Sequence, residues 1–304
     1  RQALSARLDP TADSLQLIFE QVRANPRRVV FAEGEEEKVV RAALNFRDAG
    51  YGTPVLIGRD DRVRQTVDGL GLAGAEMLEV HNARISENNE RYTDFVYSRL
   101  QREGSLYRDC QRMVNQDRNV FAACMVACGD ADAMVTGLTR SYTVCMEEIT
   151  RVLDTAEGHQ LFGLSIVVAR DRTVFMADTT VHDRPTAEQL AEMATQSAAK
   201  ARLLGHEPRV ALLCHANFGY PQGARADQVN GAVAILDSAS RDFEYDGGMA
   251  PDVALDMDMM ELYPFCRLTG PANVLIMPSL NAASISAKIL QKLGSGTVIG
   301  PLLM

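Results

Sequence analysis

Ala272-Asn-Val-Leu-Ile-Met-Pro278-Ser279-Leu-Asn281-Ala-Ala-Ser284-Ile-Ser-Ala-Lys288-Ile-Leu-Gln-Lys292, followed by Thr297-Val-Ile-Gly-Pro301, reads as a strand, a turn and a helix. Val274 to Met277 is a short apolar run suited to a strand covered on both faces. Pro278 cannot donate to a ladder, so the strand stops there. Asn281 and Ser284 offer polar groups where the helix exposes unpaired backbone N–H groups, and Lys288 and Lys292 lie one turn apart on one helix face. The stretch is a candidate anion site. An ordinary strand-to-helix turn with a capped, solvated helix would show the same spacing.

Outward from this stretch, the same strand-then-helix alternation recurs. Arg28 to Ala32 reads as a strand, and Glu33-Gly-Glu-Glu-Glu37 leads into a helix carrying Val39, Val40, Ala43 and Phe46. The carboxylate cluster suits the helix dipole and would repel a phosphate, so it reads as a cap. Thr53 to Gly58 is a second strand with a helix after Asp60-Asp61, and Glu76 to Val80 a third. From Asn88 to Cys128 the spacing is helical, with aromatic and Met residues that read as core. Gly129 to Thr143 has the form of a parallel strand ending in small and hydroxyl residues, then a helix from Tyr142 to Leu153. Ligands of open α/β sheets collect at such ends, which makes Thr136, Thr139 and Arg140, with Gly137 in the same turn, candidates against a plain connecting loop.

A composition shift follows Asp154 to Gly158. Leu161 to Ala169 and Thr173 to Asp178 flank Arg170-Asp-Arg172 and read as a hairpin opening a new sheet. A long helix follows from Thr186 to Leu204, then a strand from Arg209 to Leu213 and a helix from Arg225 to Leu236. Asp246-Gly-Gly-Met-Ala-Pro-Asp252 reads as the opening of another helix. Before all of these, Thr11 to Arg23 carry Leu15, Ile18, Phe19 and Val22 at helical spacing. The chain begins with Arg1 rather than methionine, as a piece of something longer would.

The 304 residues, 46% hydrophobic and 23% charged, suit about two domains, and a net charge of −9 argues against nucleic acid or an anionic membrane as partner. A local basic pocket for an anionic small molecule remains compatible with that charge. The six cysteines show no repeated C-x-x-C spacing and no secretory signal precedes them, so a cytoplasmic setting is expected, with buried thiols and no metal. No apolar run reaches the ~18 residues needed to span a bilayer. Catalytic patterns are sparse: neither G-x-x-x-x-G-K-[ST] nor G-x-G-x-x-G after a strand is present. Cys214, His215 and Asp246 form no convincing nucleophile set, because neighbouring residues at a strand end point to opposite faces. His182 and Asp183 read as polar contacts between domains.

Four segments together resemble the phosphate acetyltransferase/butyryltransferase family: Phe31-Ala-Glu-Gly-Glu-Glu36, Gly129 to Gly137, Met176-Ala-Asp178 through His182-Asp-Arg-Pro185 to Ala191, and Asn273 to Asn281 with Ile299-Gly-Pro301. More narrowly, Tyr142, the stretch from His182 to Glu188, Glu244 to Leu255 and Tyr263-Pro-Phe-Cys266-Arg-Leu resemble the C-terminal domain of bacterial hybrid NADP-dependent malic enzymes. The resemblance implies two three-layer α/β/α lobes with a cleft between them. The first lobe would be discontinuous, from residues 1–153 and 296–304, with residues 154–295 inserted as the second. It also implies homo-oligomers, dimeric through the second lobe and larger in the full-length protein, and an N-terminal malic enzyme domain as partner in the same polypeptide.

Departures from the family pattern bear on the chemistry. Active transferases carry a Ser-Arg pair and an acid after the Ile-Gly-Pro segment, beyond Met304. One of their arginines falls at Glu147 and another at Leu100, and a lysine-glycine pair is replaced by Asn217-Phe218-Gly219. Reversing a charge ~5 Å from a phosphate at an effective dielectric of ~20 swings the interaction by about 6 kcal/mol. The resemblance with these departures implies no catalytic residues and no cofactor in this domain, with acetyl-CoA as an allosteric effector of malate oxidative decarboxylation. NADP and a divalent metal would belong to the malic enzyme domain. Lys288 and Lys292 would meet CoA phosphates, and Asn281, Ser284, Thr136, Gly137, Thr139 and Arg140 would line the pocket. An active phosphate acetyltransferase and a ligand-free oligomerisation scaffold are the alternatives.

Overall fold

The computed structural model describes residues 19–71, 74, 77–169, 172–294 and 297–304, which form two compact units, 19–154 and 155–304. Each is a sheet with helices on both faces, the three-layer α/β organisation expected of both lobes.

In the first unit, strands β1 (Arg27–Phe31), β2 (Gly52–Ile57), β3 (Glu79–His81) and β4 (Ala133–Val135) are parallel and ordered β3-β2-β1-β4. The period-2 alternation of a strand sorts their side chains between two cores. Val29, Phe31 and Leu56 pack on α1 (Glu37–Asp48) and α2 (Asp60–Leu70) through Val40, Leu44 and Val63. Val30, Val55 and Ile57 face α3 (Asn89–Leu100), α4 (Tyr107–Gln116) and α5 (Arg118–Ala127), meeting Tyr92, Cys110 and Phe121. The chain winds from β1 outward to β3 and then returns to the other side of β1. The switch point of the sheet therefore lies where β1 and β4 end, the place at which open α/β sheets bind ligands.

Several expectations in this unit are corrected. The stretch from Asn88 to Cys128 is three helices: Gly104, at φ 92°, ends the first after a 3₁₀ turn, and the Asp117 carboxylate accepts the N–H groups of Asn119 and Val120 to start α5. The acidic run after β1 is no cap, since Glu36 at the N-cap of α1 makes no capping bond. Glu35 instead holds the Arg59 guanidinium with both oxygens, at 2.9 and 3.0 Å. Residues 19–24 are helical, while Leu15 and Ile18 of the expected N-terminal helix lie outside the described residues. The helix after β4 is α6 (Tyr142–Thr150).

The second unit orders its strands β10-β5-β6-β9-β7-β8: β5 (Gly163–Ala169), β6 (Arg172–Ala177), β7 (Arg209–Leu213), β8 (Glu244–Met249), β9 (Val274–Ile276) and β10 (Thr297–Leu303). The expected hairpin is β5–β6; residues 170 and 171 of its turn lie outside the described residues. β6, β9, β7 and β8 run parallel. One face carries α7 (Ala187–Leu203) and α8 (Ala224–Asp237). The other carries α9 (Pro251–Leu255), α10 (Met257–Met260) and α11 (Leu280–Leu293). Thr186 and Gln189 close a reciprocal capping box on α7.

Two corrections concern this unit. Residues 297–303 pair antiparallel with β5, so the C-terminal segment completes the second sheet instead of returning to the first lobe. Residues 246–249, expected to open a helix, belong to β8, whose Gly247 allows close approach to β7. A Cβ at Gly247 would sit 2.6 Å from Leu212 Cβ and 2.9 Å from its carbonyl oxygen. The helix expected there begins only at Pro251.

Candidate functional site

At the switch point of the first sheet, Glu33 follows β1 and is only 2% exposed. Its carboxylate accepts the N–H groups of Gly137 at 3.0 Å, Leu138 at 2.6 Å and Thr139 at 2.7 Å, with the Thr139 hydroxyl at 2.5 Å. Burial alone would raise the pKa of Glu33, but these hydrogen bonds and the Arg118 charge outweigh it and hold the carboxyl below its ordinary value. The loop after β4 is thus folded around a buried anion supplied by the chain itself.

A second network adjoins it. Thr136 Oγ1 donates to Asn119 Oδ1 at 2.6 Å, and Asn119 Nδ2 donates to Glu148 Oε2 at 2.6 Å. Arg140 Nη1 bonds both Asp117 Oδ2, at 2.6 Å, and Glu148. Burial would raise the Asp117 pKa, yet the Arg140 hydrogen bond keeps it low. Burial and the adjacent Asp117 push Glu148 up. Thr136, Gly137, Thr139 and Arg140 are therefore brought together, as their spacing suggested, but their polar groups already serve one another and their neighbours. Sequence reasoning missed Glu33, Asp117, Asn119 and Glu148. Of these only Asp117, an Asx residue within the stretch read as continuously helical, is of a type that caps helices.

Asn281, Ser284, Lys288 and Lys292 belong to the other unit, on α11. The cap of this helix is Ser279, whose hydroxyl accepts the Ala282 N–H at 3.3 Å; Asn281 sits inside the first turn. Asn281, Lys288 and Lys292 are exposed and Ser284 is half-buried, and neither lysine has a carboxylate partner among the described residues. Ile285, Ile289 and Leu293, spaced by four, form an exposed apolar stripe on the same helix, at 57%, 51% and 82% exposure.

Glu147 is exposed on α6, while Leu100 is buried in the core beside Tyr92 and Val96, where a cation would be costly. His182, expected to bridge domains, lies against Asp178 of its own unit, with Nδ1 2.9 Å from Oδ2. Asp178, 2% exposed, also accepts the N–H groups of Gly163, Thr180, Val181 and His182. Cys214 and His215 do touch, Sγ to Nδ1 at 3.5 Å, contrary to the expectation of opposite faces. Asp246 bonds the backbone and guanidinium of Arg267, so no nucleophile set forms.

Residues 13–304 match the model of the phosphate acetyl/butaryl transferase family. The chain belongs to that family. It is 54% identical, over its full length, to an NADP-dependent malic enzyme of Rhizobium meliloti, of which it spans only 40%. It is 31% identical over 95% of its length to a phosphate acetyltransferase of Thermoanaerobacterium thermosaccharolyticum, covering 89% of that protein. Its fold matches a phosphotransacetylase from Streptococcus pyogenes with a TM-score of 0.87 at 26% identity, covering 96% of this chain and 89% of the other. This member of the family is thus a phosphotransacetylase-like domain most of whose length recurs within longer malic enzymes. Among the described residues no helix is long and apolar enough to cross a membrane.

Proposed function

We propose that this domain is the C-terminal, catalytically silent regulatory part of a cytoplasmic hybrid malic enzyme, binding acetyl-CoA as an allosteric inhibitor of malate oxidative decarboxylation and contributing to oligomerisation. The observation that carries the reading is the full-length similarity to a malic enzyme two and a half times as long as the chain. Silence is supported by Glu147, an exposed carboxylate where the resemblance predicts an arginine, and by the polar groups of Thr136, Gly137, Thr139 and Arg140 being engaged internally. Lys288 and Lys292, without a carboxylate partner among the described residues, supply cations for the phosphates of CoA, beside Asn281 and Ser284, and the exposed stripe on α11 supplies apolar surface for assembly. NADP and a divalent metal would be held by the malic enzyme domain, the partner in the same polypeptide.

Titration of the chain with acetyl-CoA in a calorimeter tests this. Heat of binding is expected, and its absence at millimolar ligand would leave a structural scaffold. The 31% identity to a phosphate acetyltransferase favours an active enzyme as the second reading. Acetyl-CoA formation from acetyl phosphate and CoA would establish that reading and overturn silence.

A further inference from the structure

Apart from the hydrogen-bonded loop at the switch point, the first unit has a cavity of about 270 Å³ over the C-terminal ends of β2 and β3, lined by Arg59, Arg84, Arg118 and Arg140 with Glu35 and Asn115. The four guanidinium groups are not equivalent. Arg59 is neutralised by both oxygens of Glu35, and Arg140 by Asp117 and Glu148. Glu33, the remaining nearby carboxylate, is committed to three N–H groups and a hydroxyl, with Arg118 only a longer-range influence on it. Arg118 touches only the Thr139 hydroxyl, at 3.1 Å, and Arg84 has no side-chain partner among the described residues. Among the described residues, two cations thus face one polar cavity with no carboxylate in ion-pair distance, Glu35 acting on Arg118 only at longer range. Planar guanidinium forks match the oxygens of a phosphate, and in a recess their charge is less screened than on an open surface.

We propose that this cavity is a second ligand site, for phosphate or a compact phosphate monoester held between Arg84 and Arg118. The volume is near the lower end of small-molecule pockets, about 300 Å³, and too small to enclose a molecule as long as acetyl-CoA. The site lies wholly within the first unit and does not depend on the lysines of α11, so it goes beyond the acetyl-CoA reading.

The test is calorimetric titration of the chain with inorganic phosphate and with glycerol 3-phosphate at fixed ionic strength, using Arg84→Ala, Arg118→Gln and the double variant Lys288→Ala/Lys292→Ala. Saturable binding is expected, weakened at least about tenfold by either arginine substitution and unchanged in the lysine variant, since each loses or keeps a charge-assisted contact. Similar affinity for both ligands assigns the site to the phosphate group, and binding of the monoester without binding of phosphate overturns that assignment. Because Arg84 is exposed, its substitution tests the site even if Arg118→Gln disturbs the Thr139 loop. No saturable heat, or affinity indifferent to both arginines, overturns the proposal. Loss in the lysine variant also overturns it, by moving the phosphate to α11. Acetyl-CoA binding, measured on the same variants, is expected to follow the lysines and not Arg84, so the two readings fail separately.

Discussion

Glu33 shows how one side chain can build a loop. Three N–H groups and a hydroxyl converge on its carboxylate, in the manner of a bound anion, and the loop after β4 takes its shape from them. Replacing Glu33 by Gln keeps one acceptor oxygen and removes the charge, so the variant is expected to lose about 2 kcal/mol at neutral pH. The folded-state pKa lies below the ordinary value of 4.5, so the contribution is complete above that value and is lost as pH falls through the folded pKa. Urea unfolding of both proteins checks this: the gap between them should narrow from pH 7 to about pH 3. A gap independent of pH would mean that shape and not charge sets the cost. The sequence displayed Glu33 inside an acidic run, where a cap at the helix start was the simplest role. That its partner lies about a hundred residues later in the chain was beyond any local pattern.

Among elements, β8 is the informative case. Asp246-Gly-Gly-Met249 has the composition of a loop, and glycine weakens a strand unless something needs the missing side chain. Here Leu212 of β7 occupies that space. Gly247→Ala is expected to cost about 1–3 kcal/mol, because the new methyl group meets a packed side chain and a carbonyl; a urea midpoint within error of the parent would show that β7 and β8 can separate without penalty. The apolar strands and the hydrophobic face of each helix were legible in the residues, since burial imposes periods of 2 and 3.6 directly. The strand from Val274 and the helix after Ser279 are the clearest instance. Breaks between helices were less visible. Asp117 ends one helix and starts another through its own carboxylate, which spacing alone could not reveal.

For the whole molecule, the expected three-layer lobes are present, while the assignment of the last strand was misplaced because pairing partners far apart in sequence leave no mark on either strand. The candidate ligand residues divided in the same way. Those after β4 lie together with their polar groups satisfied internally, and the lysines of α11 stand exposed one turn apart. Lys288→Ala/Lys292→Ala is expected to weaken acetyl-CoA binding about tenfold or more, with the unfolding midpoint unchanged; equal affinity would place the phosphates elsewhere. Assembly is a separate matter. Ile289→Lys/Leu293→Lys, which places charge in the exposed stripe, is expected to lower the sedimenting mass of the chain, and an unchanged mass would remove α11 from the contact.

The pairing of β10 with β5 has a consequence for synthesis. In the first unit, β1, β2 and β3 pair in turn with strands close in sequence, and only the second edge of β1 waits, for β4. In the second unit β5 is made early, but its outer edge is met only by the last of the described strands. Until then the nascent chain carries an apolar strand with one row of unpaired backbone groups, a surface on which strands of other molecules can add. Pro301 and the bulge near it interrupt β10 itself, so the row that β5 exposes is covered by a strand carrying breaks of its own.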